Sequence, residues 1–237
     1  MKPLLLVPAL LVTLAAEPPS PSAFLGFPLG ADRQLADYKQ SSDYLRTLAK
    51  ASPRLHLVDL GSTTLGQPML MAVISSESNI KRLDHYKGIA KKLADPRGLS
   101  EAQIEALAKE GKSILLLTCS MHSTEVGASQ MALEWAYDLA RTKDPEMLKR
   151  LDNVILMLVP NLNPDGQNLV VDWYRKQLNT PFEGGRMPWL YHPYVGHDNN
   201  RDWWMLTQKE SRAMNRAAYF EWFPQVWVDE HQMGSTG

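Results

Sequence analysis

The sequence predicts an α/β fold, with a mixed, mostly parallel sheet between two layers of helices in a three-layer sandwich. Three short segments, 69–74, 114–119 and 154–159, are almost entirely apolar, as is typical of strands covered on both faces. Segments with the apolar spacing of amphipathic helices follow or precede them. This repeated order of apolar strand, loop and amphipathic helix is the pattern of a layered α/β domain.

Composition restricts the function classes. The chain has 237 residues, a length that suits one sizeable core better than two domains. Its formal net charge is -1, so we expect no nucleic-acid partner and no attraction to an anionic membrane. The single cysteine, Cys119, excludes an internal disulfide, and its place in an apolar strand indicates a buried thiol.

The N-terminal segment is typical of export. Residues 1–16 combine a basic start, a short apolar run and small residues, which predicts a signal peptide cleaved near Ala15 or Ala16. We therefore expect a secreted or periplasmic protein without stable membrane association after cleavage; an uncleaved anchor is the alternative. Residues 17–30 are predicted to be a Pro-rich, extended lead-in, and residues 31–237 the folded domain.

The remaining elements follow from apolar spacing and from start and stop signals. Before the central strand we predict a helix over about 35–51, a hairpin of strands 55–60 and 68–74, and a helix from Ser100 to Glu110 within a polar segment. After the central strand, 114–119, we predict a helix over 126–141, a short helix from Asp144, a strand over 154–159, a long irregular segment over 161–204, a helix over 205–222 and a strand over 224–230.

Three candidate metal ligands lie at predicted strand ends. His122 and Glu125 follow the central strand, and His231 follows the last one. Because functional groups gather beyond the carboxyl ends of strands in open α/β sheets, these side chains are expected to converge. Two imidazole nitrogens and one carboxylate suit zinc with an open fourth position. His192 and His197, in the irregular segment, are predicted to be structural.

Several motifs occur in a characteristic order. They are His122-Ser-Thr-Glu125, Asn163-Pro-Asp-Gly166, Trp173-Tyr-Arg175-Lys176, Asp198-Asn-Asn200-Arg201 and His231. In this order the chain resembles the carboxypeptidase A/B-type zinc metallocarboxypeptidases, and the resemblance spans nearly everything after the signal peptide. It implies a zinc carboxypeptidase-like sandwich that binds one Zn²⁺ ion through His122, Glu125 and His231.

The resemblance also implies roles for residues around the metal. Asp198 would orient His122, and Asn200 and Arg201 would bind the terminal carboxylate of a peptide. A guanidinium fork suits that carboxylate because it can bind both oxygens. Arg175 would stabilise the scissile carbonyl and its oxyanion; Arg186 is a rival for this role, and a surface salt bridge is the other interpretation of Arg175.

The sequence departs from the family pattern in two respects. Thr124 stands where the family has an arginine, so a secondary substrate contact is expected to be absent. The general-base glutamate and the substrate-capping tyrosine of the family lie downstream of the third ligand, beyond Gly237. We therefore expect a catalytic domain that is incomplete at its C-terminal end. Glu230 is a poor substitute, because neighbouring strand residues point to opposite faces.

The functional prediction is an exported zinc metallocarboxypeptidase that acts on the C-termini of peptides or proteins. Two alternatives remain open at this point. One is a non-catalytic module that binds zinc and peptides, and the other is an amidase that acts on cell-wall peptides.

Overall fold

The computed structural model describes residues 17–192 and 194–233. The predicted signal peptide lies outside these residues. None of the helices in the described part is both long enough and apolar enough to cross a membrane.

The described residues form nine α-helices and five strands. The helices are α1 Pro21–Leu25, α2 Tyr38–Ala51, α3 Glu77–Ile80, α4 Leu83–Ala94, α5 Glu101–Glu110, α6 Val126–Arg141, α7 Pro145–Asn153, α8 Pro164–Gln177 and α9 Lys209–Arg216. The strands are β1 Leu55–Ser62, β2 Pro68–Ile74, β3 Ser113–Cys119, β4 Val154–Val159 and β5 Val226–Glu230. A 3-10 helix covers Asn199–Arg201, and a π-helix, Ala217–Trp222, continues α9.

The five strands form one mixed sheet in the order β1-β2-β4-β3-β5. The central strand β3 is parallel to both of its neighbours, β4 and β5. The hairpin β1–β2 is antiparallel, and β2 pairs antiparallel with β4. The predicted mixed sheet is therefore confirmed, with its parallel pairings around β3. These pairings bring the carboxyl ends of β3, β4 and β5 to the same edge.

Two apolar cores cover the two faces of the sheet. Alternate residues of β4 belong to different cores: Ile155 and Met157 pack with α4, α9 and the π-helix, whereas Leu156 and Leu158 pack with α2, α6 and α7. This alternation follows from the two-residue period of a strand. It explains why the strands are apolar throughout and confirms the predicted three layers.

The predicted irregular segment 161–204 is in part a helix, so this expectation is wrong for residues 164–177. Asn163 caps α8 by accepting from the Gly166 amide at 3.0 Å, and Pro164 occupies its first turn. Asn and Pro at these positions are helix-start signals as well as turn signals. The motif Asn163–Gly166 is therefore the first turn of α8, and the truly irregular part of the segment comes after it.

Three other boundaries differ from the predictions. The lead-in is not extended throughout, because it contains α1, whose Phe24 ring lies 5.4 Å from the Tyr44 ring of α2. The polar segment before β3 contains α3 and α4 in addition to the predicted α5. The helix predicted over 205–222 begins only at Lys209, because Asp202 organises the preceding residues as a turn.

Candidate metal centre

The loop between β3 and α6 presents the first two candidate ligands. Ser120 ends β3 with a φ of 51°, a left-handed conformation that is uncommon outside glycine. Its hydroxyl donates to the Glu125 carbonyl at 3.0 Å and accepts from the Ser129 amide at 3.1 Å. The Glu125 amide in turn donates to the His122 carbonyl at 2.9 Å. The chain therefore reverses sharply, and both side chains point to the same side.

The three predicted ligands converge. The Nδ1 atom of His122 lies 2.9 Å from Oε1 of Glu125, and the Nδ1 atom of His231 lies 3.0 Å from Oε2 of the same carboxylate. One donor atom from each of the three side chains lies within 4.8 Å of the others. The parallel pairing of β3 with β5 produces this convergence, because Cys119 is in register with Glu230.

Each imidazole also contacts a carboxylate through its far nitrogen. Nε2 of His122 lies 2.8 Å from Oδ1 of Asp198, as the sequence predicts. Nε2 of His231 lies 2.9 Å from Oδ2 of Asp229, a contact that the sequence analysis missed. In both rings the carboxylate leaves Nδ1 as the nitrogen that faces the centre.

The surroundings of the centre lower the pKa of two carboxyl groups and raise the pKa of one imidazole. Burial raises the pKa of the Glu125 carboxyl, but the Gln232 amide and the His122 imidazole outweigh burial, so the pKa lies below its usual value. The Asp198 carboxyl is similar: burial raises its pKa, but the Asn200 amide and the His122 imidazole outweigh burial, so the pKa lies below its usual value. For His231, burial lowers the pKa, but Asp229 and Glu125 raise it overall.

The other predicted binding residues border the metal centre. Asn200 lies 3.5 Å from Nε2 of His231 through its Nδ2, and its Oδ1 accepts from the Trp203 indole at 3.0 Å. Arg201 is exposed over 69% of its side chain and lies 3.7 Å from Oδ2 of Asp198. The structure therefore brings Asn200 and Arg201 to the rim of the ligand cluster, where a substrate could reach the guanidinium.

Arg175 is not brought to the metal centre. It lies in the last turn of α8, about 18 Å along the helix axis from Asn163. Its guanidinium contacts the start of α2, at 3.0 Å from Asp37, 2.9 Å from the Leu35 carbonyl and 2.9 Å from Gln40. The described contacts of Arg175 therefore favour the alternative interpretation, a surface salt bridge. Its rival Arg186 lies exposed in the loop after α8.

The start of α8 supports the loop that carries His122. The Ser123 hydroxyl donates to the Asn163 carbonyl at 3.1 Å, and Nδ2 of Asn163 donates to the Met121 carbonyl at 3.3 Å. Nδ2 of Asn199 reaches the same carbonyl at 2.8 Å. The motif that begins at Asn163 therefore supports the ligand loop through its main chain and amides.

His192, which is predicted to be structural, contacts the main chain. It is almost fully buried, and its Nε2 lies 2.6 Å from the His197 carbonyl. Burial and the neighbouring His197 lower the pKa of His192, which favours the neutral ring. His197 is turned toward the main chain, with Nδ1 2.9 Å from the Asp198 carbonyl.

Gln232 is a second residue that sequence reasoning missed. Its amide donates to Oε2 of Glu125 at 2.9 Å, and its side-chain carbonyl accepts from the Gly127 amide at 2.9 Å. It therefore joins the end of β5 to the start of α6. Nothing in the spacing of the sequence indicates this, because the contact depends on how the chain turns after His231.

The donor set fits zinc. Two neutral imidazole nitrogens and one carboxylate are a common protein ligand set for catalytic zinc, and carboxylates behind both imidazoles fix the ring orientations. Burial is partial, so a further ligand has access from solvent.

Comparisons with known proteins identify the family and the fold of the chain. A family model described as zinc carboxypeptidase matches residues 41–227. A search of curated proteins finds no match. The fold is similar to carboxypeptidase A from Helicoverpa armigera, with a TM-score of 0.54 and 14% identity over 86% of this chain and 47% of the other.

Two further solved structures share the fold. The metallo-carboxypeptidase from Burkholderia cenocepacia has a TM-score of 0.52 and 17% identity, covering 84% of this chain and 42% of the other. Thrombin activatable fibrinolysis inhibitor has a TM-score of 0.55 and 10% identity, covering 91% and 52%. This chain therefore spans about half the length of these structures. Because the family model matches most of its residues, the chain belongs to the zinc carboxypeptidase family.

Proposed function

We propose that this chain acts in an exported, zinc-dependent metallocarboxypeptidase that hydrolyses the C-terminal peptide bonds of peptides or proteins through a zinc-activated water. The observation that carries the proposal is the convergence of His122, Glu125 and His231 beside an exposed arginine. Export rests on the character of residues 1–16.

The ligand roles follow from the atoms that face the centre. Nδ1 of His122, Nδ1 of His231 and the Glu125 carboxylate would hold one Zn²⁺ ion. When bound, such an ion lowers the pKa of a coordinated water and polarises a carbonyl. Asp198 accepts the Nε2 proton of His122 and so keeps the Nδ1 lone pair available.

Substrate binding is assigned to the rim. Arg201 offers a planar fork for the terminal carboxylate of a peptide, and Asn200 offers an amide beside it. Asp198 contacts both His122 and Arg201, so it couples the orientation of the metal ligand to that of the clamp. An uncharged C-terminus would lose this recognition.

Two roles in hydrolysis, that of the general base and that of the group that stabilises the oxyanion, are not assigned to the described residues. Glu230 is the last residue of β5 and directly precedes His231; because neighbouring residues of a strand point to opposite faces, it is not offered as the general base. Arg175 is engaged by the start of α2 and is not included in the proposed site.

The experiment compares one peptide with a free C-terminus and the same peptide with an amidated C-terminus, using the full-length protein. We expect release of the terminal residue from the free acid only, loss of turnover with a chelator, and recovery with zinc. Arg201→Ala should lower kcat/KM about 10- to 100-fold, the usual effect of losing hydrogen bonds to a charged group. Arg201→Lys should recover only part of it, because lysine lacks the fork.

Arg97→Ala is the matched control. Arg97 is an exposed arginine paired with Asp95 in the loop after α4, and its removal should leave kcat/KM unchanged. Equal turnover of the acid and the amide, or full activity of His122→Ala, contradicts the proposal.

The position of Arg175 favours a second candidate, a module that binds zinc and peptide C-termini without cleaving them. Zinc binding together with retention of the free-acid peptide, but no product, would identify this function. Assays on cell-wall stem peptides, in parallel with ordinary peptides, distinguish the amidase: preferential cleavage of the former would replace the carboxypeptidase assignment.

A further inference from the structure

A carboxylate on β5 stands behind the third candidate ligand. Asp229 lies in β5 and His231 directly follows the strand, two residues later, so the two-residue period directs both side chains to the same side. Oδ2 of Asp229 lies 2.9 Å from Nε2 of His231, and Nδ1 of the same ring faces Glu125 at 3.0 Å. The imidazole is therefore held between two carboxylates, with one nitrogen directed to each.

Asp229 is itself fixed by the neighbouring strand. Its Oδ1 accepts from the hydroxyl of Thr118 at 2.7 Å, and this hydroxyl accepts from the Trp227 indole at 3.0 Å. Thr118 is fully buried and is in register with Asp229 in the parallel pair β3–β5. The indole, hydroxyl and carboxylate thus form a continuous chain of hydrogen bonds that ends at the imidazole.

The arrangement around His231 has the same form as that around His122. His122 directs Nδ1 toward Glu125 and Nε2 toward Asp198, at 2.9 and 2.8 Å. The two rings lie with centroids 4.7 Å apart. A carboxylate that accepts the Nε2 proton selects the tautomer in which Nδ1 carries a free lone pair, and it restricts rotation of the ring.

We propose that Asp229 is a positioning residue that holds His231 for metal binding through Nδ1, with Thr118 and Trp227 fixing the carboxylate. This inference rests on the proposed zinc function. Asp229 acts through His231 and is not assigned contact with the substrate. The two aspartates are held in different ways: Asp229 is anchored within the sheet by Thr118, whereas Asp198 caps a 3-10 helix at the rim.

The test measures zinc affinity of the full-length protein by competition with a chromogenic chelator. Asp229→Asn, which keeps the shape but no longer accepts the proton equally well, should weaken zinc binding about 10- to 100-fold, the usual effect of losing such a partner. Thr118→Val removes the hydroxyl and leaves the carboxylate, so it should weaken binding by a smaller factor. Asp138→Asn, an exposed aspartate of α6, is the control and should bind as the wild type.

A spectroscopic measurement separates positioning from a general loss of structure. With Co²⁺ in place of zinc, Asp229→Asn should shift the visible absorption bands, whereas Asp138→Asn should not. If Asp229→Asn binds zinc with wild-type affinity and its Co²⁺ spectrum is not shifted, the inference about Asp229 is overturned, while the proposed zinc function is unaffected. If His231→Ala binds zinc as tightly as the wild type, the metal centre itself is wrong, and the proposed function fails with it.

Discussion

At the scale of single residues, Gly166 decides how closely α8 approaches the ligand loop. A Cβ atom at this position would lie 2.4 Å from the Ser123 hydroxyl, 2.5 Å from the Tyr191 carbonyl and 2.7 Å from Nδ2 of Asn163. The Ser123 hydroxyl and Nδ2 of Asn163 belong to the contacts that support the loop, and the Tyr191 carbonyl cannot move away without moving the chain. Close approach of the main chain therefore requires glycine here.

Gly166→Ala is predicted to lower the free energy of unfolding by about 1–3 kcal/mol, the range for overpacked sites. Helix propensity alone predicts the opposite sign, since alanine is favoured over glycine by about 1 kcal/mol. Gly88→Ala is the control: Gly88 lies in α4 with nothing within 4 Å of its Cβ position, and the change should stabilise by about 0.5–1 kcal/mol. Urea unfolding of both variants checks this; a stabilising Gly166→Ala would contradict the tight contact.

The ligand residues could be predicted from the sequence, but their supports could not all be found. His122, Glu125 and His231 follow strands, and the ends of parallel strands meet at one edge. Asp229 could have been found by the two-residue period of a strand. The role of Arg175 stays a prediction: its described contacts lie at the start of α2, and matching it to a motif disregards the length of helix between it and Asn163.

At the scale of elements, Asp202 organises the turn between the 3-10 helix and α9. It is fully buried and accepts from the Thr207 amide at 3.0 Å and the Gln208 amide at 2.9 Å, and also from the hydroxyls of Thr207 and Ser211. Burial raises the pKa of its carboxyl, but the Ser211 and Thr207 donors outweigh burial and hold the pKa below its usual value. The turn therefore depends on an ionised carboxylate.

Asp202→Asn should destabilise the protein by about 2–4 kcal/mol at neutral pH, because an amide NH₂ would face hydrogen-bond donors in a buried site. The difference in the free energy of unfolding between this variant and the wild type should persist down to about pH 4. It should shrink as the pH falls through the lowered pKa of Asp202, because the native carboxylate is then protonated. Chemical unfolding at several pH values measures it.

Asp144→Asn supplies the comparison for that prediction. Asp144 is the exposed cap of α7 and accepts from the Glu146 and Met147 amides, both at 3.3 Å. Asparagine caps helices about as well as aspartate, so this change should cost less than about 1 kcal/mol. Equal costs for the two substitutions would show that Asp202 is not the anchor described.

The elements that could be predicted from the sequence are those whose residue pattern is determined by burial. Apolar spacing identified the strands β2, β3 and β4 and most of α2 and α6, because burial against the sheet determines those patterns. It placed the start of the last helix too early, since long-range contacts of Asp202, and not periodicity, determine where α9 begins. It also missed α8, whose first turn has the residue types of a loop.

At the scale of the whole molecule, the sheet has an exposed edge beside the metal centre. Among the described residues, β5 pairs with β3 on one side, and no strand pairs with its other side. The edge carries apolar side chains, with Val226 and Val228 exposed by 51% and 41%. Unpaired, apolar edge strands are templates for association with further strands. The position of the edge also exposes the strand that delivers His231.

A protein limited to residues 17–237 is therefore predicted to self-associate through β5. Val228→Lys should lower the weight-average mass in sedimentation experiments, because a charge at an edge opposes strand pairing. Leu65→Lys adds the same charge at an apolar residue that is 61% exposed in the β1–β2 turn, and should leave the mass unchanged. A monomeric parent protein would contradict the predicted self-association. An equal effect of both substitutions would show that net charge or another surface controls association, since the two variants differ only in whether the lysine lies on the unpaired strand.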